Sequence, residues 1–175
     1  DIRAEFPDFA SNMNDDLIAP SLVDDVKYAV PVNGFWEGMF VNTEVLAAAG
    51  VEVPGADYTW DDFLVDCEKI KEAGYSPIAA ALGNIPHYWW EFAIFNHNTP
   101  ATHCDIPENV DSAQAWVAGL EDVKELYEKE YFPKNTLSAT DDDTFLMFME
   151  GKAAFLIDGS WKVGGIAGAC QTDPN

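Results

Sequence analysis

Arginine is almost missing from this 175-residue chain. Arg3 is the only one, and eight lysines stand with it against 31 aspartates and glutamates, for a formal net charge of −22. Phosphate neutralisation needs clustered Lys and Arg, so the deficit excludes most nucleic-acid partners. The acidity argues equally against docking on an anionic membrane surface. Scarce arginine also weakens any reading of bidentate phosphate or carboxylate recognition. Cysteine is sparse as well: Cys67, Cys104 and Cys170 are odd in number and match no zinc or redox spacing. Cys67 falls on the apolar side of a predicted helix and reads as a small core residue. A domain with an adequate core does without disulfides even outside the cell. No apolar run reaches 18 residues, which excludes a transmembrane helix. No signal peptide is present, and the chain runs from Asp1 to a polar end at Asn175, as a mature product or a cut piece would.

Apolar residues make up 48% of the chain and 23 residues are aromatic, too many for a disordered acidic tail. The ligand expected of such a chain is neutral or cationic. Residues 1–27 hold seven acidic groups and little periodicity, and read as loops with short helical turns near Asn14 to Ala19. Tyr28 to Val32 is a β-prone run whose Pro31 marks an edge or an end. Met39 to Val41 reads as a second strand, and Asn42-Thr43 as the cap of a short helix that stops at Gly50. Thr59-Trp-Asp-Asp62 has the form of a capping box. Trp60, Phe63, Leu64, Cys67, Ile70 and Ala73 then recur at helical spacing up to Gly74. Pro77 to Leu82 reads as a buried strand. Pro86 opens a helix through Phe95. Another helix, capped by Asp111, carries Ala113, Trp116, Val117, Leu120 and Val123 on one face. Thr140-Asp-Asp-Asp143 opens a further helix that ends at Gly151. Ala153 to Ile157 is a buried strand, and Gly159-Ser160-Trp161 starts the last helix. Strands alternating with helices place the chain in the α/β class, with about four strands.

Three stretches together resemble one family. They are Tyr28-Ala-Val-Pro-Val-Asn-Gly-Phe-Trp-Glu-Gly-Met-Phe-Val-Asn42; Tyr58-Thr-Trp-Asp-Asp-Phe63, closing at Lys71-Glu-Ala-Gly74 and Pro77-Ile78; and Phe148-Met-Glu-Gly-Lys-Ala-Ala-Phe-Leu-Ile-Asp-Gly-Ser-Trp161. In order and spacing they resemble the extracellular solute-binding proteins (family 1) of ABC importers, the bacterial group that includes maltose-binding protein. The resemblance implies a single lobe of a type II periplasmic-binding-protein-like fold, a small mixed sheet flanked by helices. It implies that residues 1–27 close a first lobe and 28–175 form most of the second, in a protein about twice this length. It further implies an extracellular protein, commonly lipid-anchored through N-terminal residues outside this chain. Such a protein captures a sugar or oligosaccharide between its lobes and delivers it to an ABC permease.

A sugar offers apolar C–H faces and hydroxyl edges, so its site needs flat rings and hydroxyl-pairing side chains. Trp36 and Glu37 lie between Gly34 and Gly38, just after the first strand, and the resemblance turns this loop towards ligand. Tyr88, Trp89 and Trp90 open a helix. Neighbours there diverge by about 100°, so one tryptophan is expected in the core and the other at the cleft. Trp89 is favoured for the cleft, with Tyr88 and Trp90 as alternatives. Trp161 follows the end of a buried strand, where open α/β sheets bind ligands. Asp158 either meets ligand or caps the following helix. Glu91 reads as an exposed helix carboxylate, and Trp60 and Trp116 as core.

No cofactor, metal or catalytic residue is expected. A glycoside hydrolase would need two carboxylates roughly 5 to 9 Å apart. Glu37, Glu91 and Asp158 could be drawn into that role, but no motif fixes them. His87, His97 and His103 fit no zinc pattern, and Asp141 to Asp143 suits a helix N-terminus. A peptide, polyamine or metal remains the alternative solute.

Overall fold

The computed structural model describes residues 2–9, 11–13, 22–23, 26–27, 33–99, 107–108 and 113–172. The chain divides into two units, residues 1–36 and 37–175. In the first, α1 (Ile2–Glu5) precedes a two-stranded antiparallel pair, β1 (Leu22–Val23) and β2 (Val26–Lys27). The strand expected over Tyr28 to Val32 and the turns expected at Asn14 to Ala19 lie outside the described residues.

The second unit is built on a three-stranded mixed sheet in the order β3-β5-β4. The central strand β5 (Ala153–Gly159) is buried along its whole length. On one side β3 (Glu37–Val41) runs antiparallel to it, with Glu37 opposite Gly159 and Gly38 opposite Asp158. On the other, β4 (Ser76–Ala79) runs parallel, with Ala79 opposite Leu156. Because side chains alternate along a strand, Phe155 and Ile157 face one layer and Leu156 and Asp158 the other. Phe155 and Ile157 pack with Phe63, Cys67 and Ile70 of α3 (Trp60–Glu72), Trp89 of α4 (His87–Asn96) and Leu126 of α5 (Gln114–Glu128). Leu156 packs with Ala79 and with Phe148 of α6 (Asp141–Met149), bordered by Ile166 of α7 (Val163–Thr172). A short helix α2 (Thr43–Ala48) follows β3, and a 3-10 turn, Ser160–Lys162, joins β5 to α7. This is the α/β fold read from the sequence.

The helix starts follow the polar residues that flag them. Asn42 accepts from the backbone N–H groups of Glu44 and Val45, and both Thr59 and Thr140 close capping boxes with Asp62 and Asp143. These bonds hold both carboxyls below the usual carboxylate range. The caps therefore contribute above the unfolded carboxyl pKa and are lost as pH falls through the folded value. Thr59→Ala removes the acceptor for the Asp62 N–H and is expected to cost about 1 kcal/mol, read as a lower urea midpoint at unchanged slope.

Two expectations need correction. Asp111 lies outside the described residues, and α5 has Ala113 at its N-cap position instead, with no side-chain capping bond. Val117 and Leu120, expected on its buried face, are 42% and 49% exposed. The inward stripe runs instead through Gly119 and Leu126. Gly119 sets that orientation: a Cβ there would lie 2.5 Å from the Ile94 backbone nitrogen, so the glycine lets α5 settle directly on α4. His97 Nε2 and the Asp122 carboxylate, 2.7 Å apart, tie the end of α4 to α5.

Candidate functional site

The parallel pair β4–β5 and the start of the antiparallel β3 end at one edge of the sheet. The N-termini of α4 and α6 and the 3-10 turn meet there. Asp158 is the last but one residue of β5 and is fully buried. Its Oδ1 accepts the backbone N–H of Gly159 at 2.6 Å, so it does not cap the following helix by its side chain. Lys162, four residues on, turns its ammonium back over the strand end. Its Nζ lies 2.7 Å from Asp141 Oδ2, 3.7 Å from Asp158 Oδ2 and 3.9 Å from Asp142 Oδ1, and 4.5 Å from the Phe145 ring centroid. Asn84, in the loop after β4, accepts the Asp141 backbone N–H at 3.1 Å. That bond anchors the start of α6 to the strand edge.

Two carboxylate oxygens in this cluster, Asp141 Oδ1 and Asp158 Oδ2, are buried and accept no hydrogen bond among the described residues. A buried acceptor left open is costly and marks a place for a donor. Burial, with the charge of Asp141, holds the Asp158 carboxyl above the usual carboxylate range, against the Gly159 N–H, Lys162 and Trp161. Lys162 lies in the opposite balance. Burial pulls its amine down, but the Asp141 hydrogen bond and the charges of Asp141, Asp158 and Asp142 carry it above the usual lysine range.

Aromatic rings border the carboxylates. Tyr88, in the first turn of α4, is buried, and its phenol is pushed up to about 12 by that burial and by the charges of Asp158, Glu37, Asp141 and Glu91. It is therefore a neutral hydroxyl at any physiological pH. Trp161 is 49% exposed, and its six-membered ring covers Gly159: a Cβ on that glycine would come within 2.2 Å of the indole. Gly159→Ala is thus expected to swing the ring off the strand end. Because Trp161 is half-exposed, a shift in its indole N–H resonance should accompany a stability change of under about 1 kcal/mol.

The structure brings Glu37, Tyr88, Asp158 and Trp161 to this edge. Trp89, favoured as the cleft aromatic, is instead a core residue. It is 4% exposed and packs between Phe63 and Phe132, with ring centroids 6.2 and 5.6 Å away. Trp90 turns the other way and lies against Trp116 of α5 at 5.7 Å. The helical step that separates neighbours gives the sheet edge to Tyr88 and takes both tryptophans from it. Trp36 belongs to the first unit, where it is its last residue and is exposed. Sequence reasoning missed Asp141, Lys162 and Asn84. Only the four-residue spacing of Asp158 and Lys162 was available as a signal. Among the described residues no three His, Cys, Asp or Glu side chains group to hold a metal ion, and His103 lies outside them.

A family model described as bacterial extracellular solute-binding protein matches residues 4–171. Among solved structures, a chitin oligosaccharide binding protein is 28% identical, with a TM-score of 0.72 over 85% of this chain and 38% of its own. The GacH receptor of Streptomyces glaucescens, solved unliganded and with acarbose and an acarbose homolog, is 20% identical, with a TM-score of 0.69 over 96% and 42%. A protein from a study of xylan utilization by the thermophilic bacterium Caldanaerobius polysaccharolyticus is 18% identical, with a TM-score of 0.71 over 90% and 43%. The chain thus spans about two-fifths of the length of these solved proteins. A search of the curated proteins finds no match.

Proposed function

Since the chain belongs to the bacterial extracellular solute-binding proteins, we propose that its larger unit forms one wall of a cleft that captures a carbohydrate for an ABC importer. One observation carries this reading: the half-exposed indole of Trp161 stands over the end of β5, at the sheet edge it shares with Tyr88 and Glu37. Sugar hydroxyls both donate and accept, and the apolar face of a pyranose ring stacks on an indole. The neutral Tyr88 hydroxyl both donates and accepts, and Glu37 extends the acceptor set along β3. The printed ligand of the 28%-identical relative, a chitin oligosaccharide, supports the same class of solute.

Capture is reversible and involves no covalent step. Trp161 binds a ring face, and Tyr88 and Glu37 pair with its hydroxyls, while the ion cluster of Asp158, Asp141 and Lys162 fixes the strand end beneath them. A membrane permease then receives the solute from the extracellular side. The alternative solutes are a peptide or a polyamine. A thermal-shift screen of neutral sugars, short peptides and polyamines separates them: sugars are expected to raise Tm, and stabilisation by peptides or polyamines alone contradicts the proposal. Family and structural neighbours are solute-binding proteins. Sustained release of reducing sugar from glycosides would contradict a binding role.

A further inference from the structure

Taking the carbohydrate-binding reading as its basis, we propose that Thr136 is a positioning residue for the cleft. Its hydroxyl fixes the loop after β4, and through that loop the place of Tyr88 beside Trp161. β4 ends at Ala79, yet the chain stays buried through Ala80 and Ala81 before it reaches Pro86 and the first turn of α4. The segment that follows α5 runs along this stretch. Ile78 donates its backbone N–H to the Tyr131 carbonyl at 3.2 Å. Further along, a side chain takes over from the backbone. Thr136 Oγ1 donates to the Ala80 carbonyl at 2.7 Å and accepts the Leu82 backbone N–H at 3.3 Å. The Thr136 carbonyl accepts the Gly83 N–H at 3.1 Å.

These bonds hold a loop whose own bonds do not fix its place. Asn84 and Ile85 donate back to the Ala81 carbonyl, which makes a turn but leaves open where the turn stands. Thr136 ties it at one point, and Asn84, accepting the Asp141 N–H at 3.1 Å, ties it at another. The fit at Gly83 is close: a Cβ there would lie 2.0 Å from the Leu137 carbonyl oxygen, so the loop has no room to shift towards that residue. Beyond the loop, Trp89 and Trp90 donate to the Pro86 carbonyl, so a displaced loop carries the first turn of α4 with it, Tyr88 included. Thr136 is 2% exposed and acts on a ligand only through this loop. Valine has nearly the same shape but would strand the Ala80 carbonyl and the Leu82 N–H. Buried backbone groups without partners are costly, so the loop would move to find them.

The test titrates the full chain, Thr136→Val, Thr136→Ser and Thr59→Ala by calorimetry with the neutral sugar that raises Tm most, each variant checked for folding by circular dichroism. Thr136→Val should bind about tenfold more weakly than the parent. Thr136→Ser keeps a hydroxyl that can make both bonds, and should bind within about twofold of the parent. Thr59→Ala loses a cap bond of α3 and none of the loop's bonds, so it should keep the parent's affinity despite its lower stability. Amide exchange reads the same coupling with no substitution: on the unaltered chain, sugar should slow exchange of the Leu82 and Gly83 amides. Parent-like affinity in Thr136→Val overturns the role. So does a serine variant as weak as the valine one, an equal loss in Thr59→Ala, or Leu82 and Gly83 exchange that sugar does not change. Each of these leaves the carbohydrate reading standing. Absence of binding of any sugar by the parent overturns that reading and the role with it.

Discussion

Lys162→Met is expected to be among the most damaging single substitutions in the chain, costing about 3 kcal/mol at neutral pH and lowering Tm by on the order of 10 °C. Methionine keeps most of the volume of the stem, so the loss is electrostatic. Asp141, Asp142 and Asp158 lose their shared counter-charge, and Asp158 is fully buried. The sign with pH follows from the two shifts. The amine of Lys162 is held above its usual range: burial lowers it, and the Asp141 hydrogen bond with the three carboxylate charges outweighs the burial. Its contribution is therefore complete below the unfolded lysine pKa and lost as pH rises through the folded value. Asp158 is also held above its usual range, by burial first. Protonating it favours the folded state, so the gap between Lys162→Met and the parent should narrow as the solution is made acidic. Urea melts of both proteins across the acid range check this. A gap that widens towards low pH would contradict the described ion cluster.

The second large effect is expected at Gly119. Alanine is ordinarily the better helix former by about 1 kcal/mol. In α5 a Cβ at this position would meet the Ile94 backbone nitrogen at 2.5 Å and its Cα at 2.7 Å. Backbone cannot rotate aside as a side chain can, so α4 and α5 must separate, and Gly119→Ala should lose about 2 kcal/mol net. Gly168→Ala in α7, where a Cβ meets nothing within 4 Å, is the matched control and should be neutral or slightly stabilising. Equal melting temperatures for the two variants would contradict the close crossing of α4 and α5. Loosening α4 also moves Tyr88, so Gly119→Ala should weaken ligand binding without touching the site.

Local chemistry explains what was legible in the sequence. Thr59, Thr140 and Asn42 announce their helices because a capping side chain acts within three residues of itself. Gly50, Gly74 and Gly151 end helices with φ of 68°, 90° and 67°, a conformation that side chains other than glycine's resist. The run from Ala153 to Ile157 reads as a buried strand because both faces of β5 are covered. Tertiary packing decided the remainder. Which side of α4 meets the sheet edge depends on α5, and α5 is oriented by a glycine whose importance lies in a contact with Ile94. An all-aromatic start to α4 carries no periodicity to choose among Tyr88, Trp89 and Trp90. In the site itself, Asp158 and Trp161 were visible from their place after a buried strand. Asp141 was not, because its aspartate run also serves as a helix opening. Its second role appears only when Lys162, 21 residues further on, folds back to meet it.

The larger unit thus joins a stacking surface and a neutral hydroxyl at one sheet edge, and Trp161 is the part that ties them to sugar recognition. Calorimetric titration of the chain and of Trp161→Ala, using the neutral sugar that stabilises it most, tests this most directly. The affinity should fall by about tenfold in the variant, the worth of one ring stack, while Tm changes little because the indole is half-exposed. Identical titrations for the two proteins would contradict a sugar cleft at this edge.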